Sequence, residues 1–186
     1  CQDFVRVKTT LTAVDQWPND VWVLRWAAWV CRWINAPALA LSFWNRVLAI
    51  EPDEDGYHEL AKDALEQGKL EEAECRLAEL RNHNPKHGGG WLLSGILAMQ
   101  RQRFSEAKTS FERAATYGAD SRKAKLGLGM AAMGLADSAG AWELFLVVAT
   151  EHPDDAETLH WLLRAGTVLQ RWEQLEPVLS QYVSRN

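Results

Sequence analysis

The chain has 186 residues, of which 47% are hydrophobic and 24% are charged, and its formal net charge is −5. This composition is typical of a folded chain with a sizeable core and excludes a largely disordered one. The acidic charge balance argues against a nucleic-acid partner. No apolar run approaches the ~18–20 residues that a membrane-spanning helix needs, so we expect no membrane insertion. No signal peptide is recognisable, and the compartment stays open between cytoplasm and periplasm.

The cysteines do not form a disulfide framework. Cys1, Cys31 and Cys75 are odd in number, and no two of them make a CxxC pair. We expect Cys31 and Cys75 to behave as small buried apolar residues.

Turn residues recur at a fixed interval along the chain. They are Pro18, Pro52, Pro85, Ala119 and Pro153, separated by 34, 33, 34 and 34 residues. A constant interval of this length is the signature of a helical solenoid, in which each unit buries its apolar face against its neighbours. The spacing predicts one all-α domain over 1–186, with a leading half repeat at 1–18 followed by five helix pairs. The five pairs span about 21–52, 54–85, 88–119, 122–153 and 156–186.

Local signals mark where individual helices begin and end. Asp53 is placed to cap the first helix of the second pair, and Gly68 is placed to end it. In the fourth pair, Asp120 or Ser121 is the expected cap of the first helix.

The third pair carries the clearest residue pattern. Its sequence at 91–119, WLLSGILAMQRQRFSEAKTSFERAATYGA, sets bulky and small side chains in a fixed order. The residues in that order are Trp91, Gly95, Ala98, Phe104, Ala107, Phe111 and Ala114. The pattern resembles the 34-residue tetratricopeptide repeat. The resemblance implies a right-handed superhelix of antiparallel helix pairs, whose first helices line a concave groove that in this family binds a peptide or partner protein.

Catalysis finds little support in the sequence. There is no GxxxxGK phosphate loop. Of the histidines, only His83 and His87 are four residues apart, and Pro85 separates them at a predicted turn, so they do not share a helix face as metal ligands would. We therefore predict no enzymatic activity, no catalytic residue, no metal site and no cofactor.

Tryptophan is the unusual component of this sequence. There are ten tryptophans, and four of them recur at spacings of 4, 3 and 4 within the first full helix, which aligns them in one stripe. By the geometry of the tetratricopeptide family, the groove side of this helix carries Trp22, Arg25, Trp29, Arg32 and Trp33, with Trp26 beside them. The helix is expected to pack through Leu24, Ala27, Ala28 and Cys31.

The tryptophan stripe has two interpretations. Four tryptophans present several hundred Å², which approaches or exceeds the roughly 300–600 Å² of the largest apolar patch on a typical monomer. Either further N-terminal helices or a neighbouring domain cover the stripe, or it is an open ligand site for a peptide or a glycan. Tryptophan and arginine are enriched at binding hot spots, and sugar rings stack on tryptophan faces.

The same groove positions change character in the later pairs. The second pair offers polar residues that include Lys62, and the fifth offers His160 and Arg164. The third and fourth pairs are more apolar and rich in methionine, with Leu92, Ile96, Met99, Lys123, Met130 and Met133. Methionine suits an adaptable contact with a helix or an extended peptide, although these methionines also suit a core between repeats.

The sequence thus predicts a non-enzymatic protein-interaction scaffold that binds a peptide or partner protein, within a longer and bacterial-looking protein. One alternative is a glycan-handling arm of a bacterial exopolysaccharide secretion or glycosyltransferase protein. Another is a spacer or self-assembly element, in which the tryptophan stripe is buried by self-association.

Overall fold

A computed structural model describes residues 9–12 and 16–185, and within them the regular secondary structure is helical, with no β-strand. Residues 9–12 are helical, but most of the leading half repeat predicted over 1–18 lies outside the described residues. Ten helices have described bounds. They are α1 Val21–Trp33, α2 Pro37–Ile50, α3 Glu54–Glu66, α4 Leu70–His83, α5 Gly88–Gln100, α6 Phe104–Thr116, α7 Ser121–Gly134, α8 Ser138–Glu151, α9 Ala156–Leu169 and α10 Trp172–Arg185.

The chain divides into two compact units, Cys1–Pro85 and Lys86–Asn186, which hold α1–α4 and α5–α10 respectively. Within each unit consecutive helices pack as hairpins: α1 with α2, α3 with α4, α5 with α6, α7 with α8 and α9 with α10. Each hairpin also packs on the next one in its unit. The predicted all-α fold of stacked helix pairs is confirmed, whereas the single domain over 1–186 stays a prediction.

The turn within each hairpin repeats with the same period as the sequence. Its residue with positive φ is Asn35, Gly68, Gln102, Ala136 or Gln170, at intervals of 33, 34, 34 and 34 residues. In the α7–α8 turn, the Ala136 N–H donates to the Met133 carbonyl and the Asp137 N–H donates to the Ala132 carbonyl. This pattern is a Schellman motif, which satisfies the last carbonyls of the helix. Only one of the five positions is a glycine.

Helix caps follow the signals in the sequence. The Asp53 carboxylate accepts a hydrogen bond from the Gly56 N–H at the start of α3, and Gly68 ends the helix in the left-handed conformation. At the start of α7 the cap is Asp120, whose carboxylate accepts from the Lys123 N–H.

The core of the N-terminal unit forms where α1 faces α2. The predicted packing residues Leu24, Ala27, Ala28 and Cys31 are fully buried, together with Trp44 of α2 and other large side chains. Burial raises the pKa of the Cys31 thiol, so it behaves as an apolar side chain.

The expectation that Cys75 is buried was wrong. Cys75 is exposed on α4, whose buried residues are Ala73, Leu77 and Leu80. These three residues are spaced by 4 and 3, so they share one helix face. Cys75 lies two residues from both Ala73 and Leu77, which places its side chain on the opposite face.

In the C-terminal unit, the close approach of helices depends on glycines that face aromatic rings. Phe111 of α6 is buried, and its ring lies against Gly95 of α5 and Gly127 of α7. A β-carbon at Gly95 would stand 2.5 Å from the nearest ring atom, and one at Gly127 would stand 2.6 Å away. Both distances are far below van der Waals contact. Three helices therefore meet around one phenyl ring, and two of them must carry glycine at the contact.

The hairpin turns yield a stability prediction. Ala136 holds φ at 62°, a left-handed conformation that costs an alanine roughly 1–2 kcal/mol and costs a glycine almost nothing. Because glycine loses more backbone entropy on folding, we expect Ala136→Gly to raise the free energy of unfolding by a net ~0.5–1 kcal/mol, measured by urea denaturation. Ala132→Gly, at a right-handed position of α7, is the control and should lower it. A loss of stability on Ala136→Gly would show that the left-handed conformation does not destabilise the turn when alanine occupies it.

Candidate functional sites

The N-terminal unit contains a cleft of about 530 Å³ between the tryptophans of α1 and the start of α3. One side is formed by Trp22, Arg25, Trp26 and Trp29, all of which the sequence placed in the groove. The other side brings residues from the next hairpin. The complete lining is Trp22, Arg25, Trp26, Trp29, Pro52, Asp53, Glu54, Asp55 and His83.

The tryptophan rings of this cleft are open to solvent. Trp22 is 77% exposed, Trp26 62% and Trp29 47%. Trp29 also packs against the core, because its ring meets the buried Trp44 ring edge to face at a centroid distance of 5.7 Å. Trp33 is more exposed still and lies on the same helix, but it does not line the cleft. The four tryptophans are therefore not one continuous site.

Arg25 forms ion pairs that connect parts of the fold. Its guanidinium forms ion pairs with the buried Asp53 carboxylate and, at 3.3 Å, with Glu51. It also lies over the Trp22 ring, 5.5 Å from the centroid. Asp53 caps α3 at the same time, so the pair ties α1 to the start of the next hairpin. A ligand in this cleft meets a guanidinium whose charge is already compensated.

The positive charge of Arg32 is also compensated by a carboxylate of the fold. Its guanidinium lies 3.1 Å from a carboxylate oxygen of Glu59, which is buried on α3. Burial acts to raise the pKa of Glu59, but the hydrogen bond with His58 and the charge of Arg32 outweigh it and hold that pKa below its ordinary value. Arg32, Glu59 and Lys62 line a much smaller depression of about 20 Å³, so Arg32 and Lys62 do not join the tryptophan cleft.

The C-terminal unit carries a different site, a groove of about 350 Å³ between α5 and α7. Its predicted members Leu92, Ile96, Met99, Lys123 and Met130 come together there. Phe111, Leu126 and Gly127 complete the apolar surface, so the ring that sets the helix spacing also lines the groove. The arrangement suits apolar side chains of a ligand.

Charged residues stand around this apolar surface. Lys123 and Glu157 are exposed members of the lining, and Arg122 also borders it. Arg122 hydrogen-bonds to Asp155, which also accepts from the Thr158 hydroxyl. Burial acts to raise the pKa of Asp155, but those two hydrogen bonds and the Arg122 charge hold it below its ordinary value. Lys123, whose Nζ lies 3.9 Å from an Asp120 carboxylate oxygen, and Glu157 are the exposed charges of opposite sign that a bound segment meets.

Three predicted site residues lie outside the groove. Met133 packs against the core cluster that contains Trp142 and Phe145. His160 and Arg164 lie on α9 on either side of Trp161, with His160 edge-on to that ring and the Arg164 guanidinium 5.1 Å from its centroid.

Five residues line the cleft without having been predicted as site residues: Pro52, Asp53, Glu54, Asp55 and His83. Asp53 was identified only as a helix cap. A signal was available in the repeat itself. Asp53 stands at the start of α3, the first helix of the second hairpin, and this start approaches the groove side of α1, the first helix of the hairpin before it.

Two negative findings concern the described residues only. Across 9–12 and 16–185, no group of three or more histidine, cysteine, aspartate or glutamate side chains is arranged to hold a metal ion. No helix in the same ranges combines the length and apolarity needed to cross a membrane.

These helix hairpins, with their constant turn period and small-to-aromatic contacts, define an all-α helical-repeat protein. The family model described as tetratricopeptide repeat matches residues 58–107 and 92–156, which together make up more than half of the chain. The chain therefore belongs to the tetratricopeptide repeat family. A comparison with curated protein sequences returned no match.

Solved structures with the same fold have low sequence identity. The MamA 41-end structure from Desulfovibrio magneticus RS-1 is 13% identical, covers 88% of this chain and 92% of its own, and has a TM-score of 0.69. TTC0263, a thermophilic protein of this family from Thermus thermophilus, is 17% identical, covers 89% of each chain and has a TM-score of 0.67. YrrB, described as a protein of this family with an unusual peptide-binding site, is 15% identical, covers 93% of this chain and 90% of its own, and has a TM-score of 0.69.

The Arg32–Glu59 pair yields a pH prediction. Because the pKa of Glu59 is lowered by folding, its stabilising contribution is complete above the ordinary value of 4.5 and is lost as pH falls through the lower value in the folded chain. At neutral pH we expect Glu59→Gln to lower the free energy of unfolding by about 1–2 kcal/mol.

The difference between wild type and Glu59→Gln should shrink as urea denaturation is repeated from about pH 6 down to about pH 3. Glu66→Gln, at an exposed position of the same helix, is the matched control. A difference that stays constant over this pH range would show that the Glu59 carboxylate charge does not stabilise the fold.

Proposed function

We propose that this chain is a non-enzymatic protein-interaction scaffold whose C-terminal unit binds a segment of a partner protein between α5 and α7. The observation that carries the proposal is an open groove with apolar side chains along its floor. Ile96 is 36% exposed there, and Leu92, Met99 and Met130 are half-buried. Binding removes this apolar surface from water, and the hydrophobic effect stabilises the complex by roughly 25 cal/mol for each Å² of apolar surface buried.

The segment that suits the groove is a short peptide with two or three apolar side chains. Methionine side chains adjust to several side-chain shapes, which favours an adaptable contact with a helix or an extended chain. Lys123 and Glu157 add a preference for charges of opposite sign in the flanking residues of the peptide.

Two comparisons support a peptide ligand. Tetratricopeptide arrays characteristically act as interaction scaffolds, and YrrB shares this fold and is described as having a peptide-binding site. The glycan-handling and self-assembly alternatives stay predictions from the sequence. The lining of this groove offers no exposed aromatic ring on which a sugar would stack, because its one aromatic side chain, Phe111, is buried.

The test is a selection of random peptides on the full chain, followed by fluorescence polarisation with the selected peptides. We expect selected sequences to share apolar residues at a fixed spacing. Ile96→Asp places a charge on the groove floor and should weaken their binding at least tenfold, or about 1.4 kcal/mol. Val147→Asp makes the same chemical change on α8, at an exposed position outside the groove, and should leave the affinity within about twofold.

Several outcomes would contradict this proposal. One is the absence of enriched peptides, and another is equal weakening by Ile96→Asp and Val147→Asp. A third is a wild-type chain that self-associates in sedimentation while Ile96→Asp does not, since the groove would then be occupied by a second copy.

A further inference from the structure

We propose that the tryptophan cleft of the N-terminal unit is a second binding site, which takes a neutral, β-linked oligosaccharide. The cleft of about 530 Å³ is within the range of roughly 300–1,000 Å³ that ligand sites occupy. It combines exposed indole rings on α1 with carboxylates at the start of α3. All the residues that line it belong to the N-terminal unit, so the proposal does not depend on the groove between α5 and α7.

The indole rings provide a surface on which sugar rings stack. The face of an indole ring is electron-rich, and it attracts the weakly positive C–H groups that cover the faces of a β-linked hexose. Trp22, Trp26 and Trp29 line the cleft and leave much of their ring area open to solvent. Trp22 and Trp29 are seven residues apart. This separation is about 10 Å along the helix axis, which is the length of about two β-1,4-linked hexose rings.

The charged side chains of the lining already have partners. Arg25 forms an ion pair with the buried Asp53 carboxylate. One Glu54 oxygen lies 4.0 Å from Nε2 of His83, and Asp55 is not without a partner either. Since each of these groups is engaged, the lining holds no charge that a ligand has to neutralise, and an uncharged ligand suits it.

The polar atoms of the lining suit hydroxyl groups. Carboxylate oxygens only accept hydrogen bonds, whereas indole N–H groups only donate them. A sugar hydroxyl does both, so one hexose can stack on an indole ring and donate a hydrogen bond to a carboxylate. Glu54 is prepared for this role, because a 2.9 Å hydrogen bond from the Asn84 amide holds its carboxylate in place. A carboxylate that accepts one hydrogen bond has capacity for more.

Hydrogen-bond donors also distinguish a sugar from a proline-rich peptide, which is the other ligand that stacks on tryptophan. Proline has no backbone N–H, so a proline-rich segment brings carbonyl acceptors and few donors. Acceptors dominate the wall opposite the tryptophans, where Asp53, Glu54 and Asp55 stand. Hydroxyl groups complement these acceptors and carbonyl groups do not. The observations therefore favour an oligosaccharide.

The experiment uses cellotetraose as the sugar probe and acetyl-hexaproline-amide as the peptide probe. Binding to the full chain is followed through the indole N–H signals in NMR spectra. We expect saturable shifts with cellotetraose at a dissociation constant of about 1 mM, and binding weaker by about tenfold or more with hexaproline. Because the sugar is neutral, raising the salt from about 50 to about 500 mM should leave its affinity within about twofold.

Matched variants assign the binding to the cleft. Trp26→Ala removes a stacking ring and should weaken the sugar complex about fivefold or more, whereas Trp26→Phe keeps an aromatic face and should recover part of the loss. Glu54→Gln removes a charged acceptor and should weaken the complex about threefold. Its change is conservative, so it tests the site even if Trp26→Ala destabilises the fold.

Two control variants make the same chemical changes outside the cleft. Trp33→Ala removes an exposed tryptophan of the same helix, and Glu66→Gln removes an exposed carboxylate of α3. Both controls should bind cellotetraose as the wild type does.

Four results would overturn the proposal. The absence of saturable shifts with cellotetraose would show that the cleft does not take this class of sugar. Equal weakening by Trp33→Ala and Trp26→Ala would show that the cleft is not the site. Tighter binding of hexaproline than of cellotetraose would identify a peptide site instead. A severalfold loss of sugar affinity at high salt would show that charge, rather than stacking, holds the ligand.

Discussion

The phenyl ring of Phe111 sets the geometry on which the C-terminal unit depends. It lies between Gly95 and Gly127, at distances that leave no room for a β-carbon on either helix. The ring fills a volume between three helices that several aliphatic side chains would otherwise have to fill. Because the interior is closely packed, adding even one methyl group at this contact affects stability. The ring therefore determines how closely α5 and α7 approach. Because it also lines the groove, the contact that stabilises the fold shapes the candidate binding surface.

The N-terminal unit connects its hairpins through ion pairs of Arg25 and Arg32, and the C-terminal unit combines the Arg122–Asp155 ion pair with ring-to-glycine contacts. Arg25 reaches from α1 to the buried Asp53, which also caps α3, and Arg32 reaches Glu59 on the same helix. Removing one partner of a buried pair leaves an uncompensated charge, so these pairs hold one relative placement of the helices. These ion pairs also compensate the charges of Arg25 and Arg32, which would otherwise be available to a ligand. The cleft consequently presents open indole rings and an Arg25 guanidinium whose charge is already compensated.

The period of the chain made most of the fold predictable. The 33–34-residue interval of the turn residues reappears as the interval of the left-handed residues, and helix bounds follow the caps, because both are local consequences of sequence. Three of the four tryptophans that the spacing aligns, Trp22, Trp26 and Trp29, line one side of the cleft, and their role as a binding site stays a prediction. The carboxylates opposite them were missed as site residues because they belong to the next hairpin, and only the packing of hairpins brings them near. The ion pairs of Arg25 with Glu51 and Asp53 were not foreseen for the same reason.

The most direct test of this account is a double-mutant cycle between Gly127 and Phe111, followed by urea denaturation. Gly127→Ala alone should lower the free energy of unfolding by about 1–3 kcal/mol, because the new methyl group overlaps the ring. In a Phe111→Ala background the overlap disappears, so the same change should be neutral or stabilising, with a coupling energy of at least ~1 kcal/mol. An equal cost of Gly127→Ala in both backgrounds would show that the ring does not set the spacing of α5 and α7.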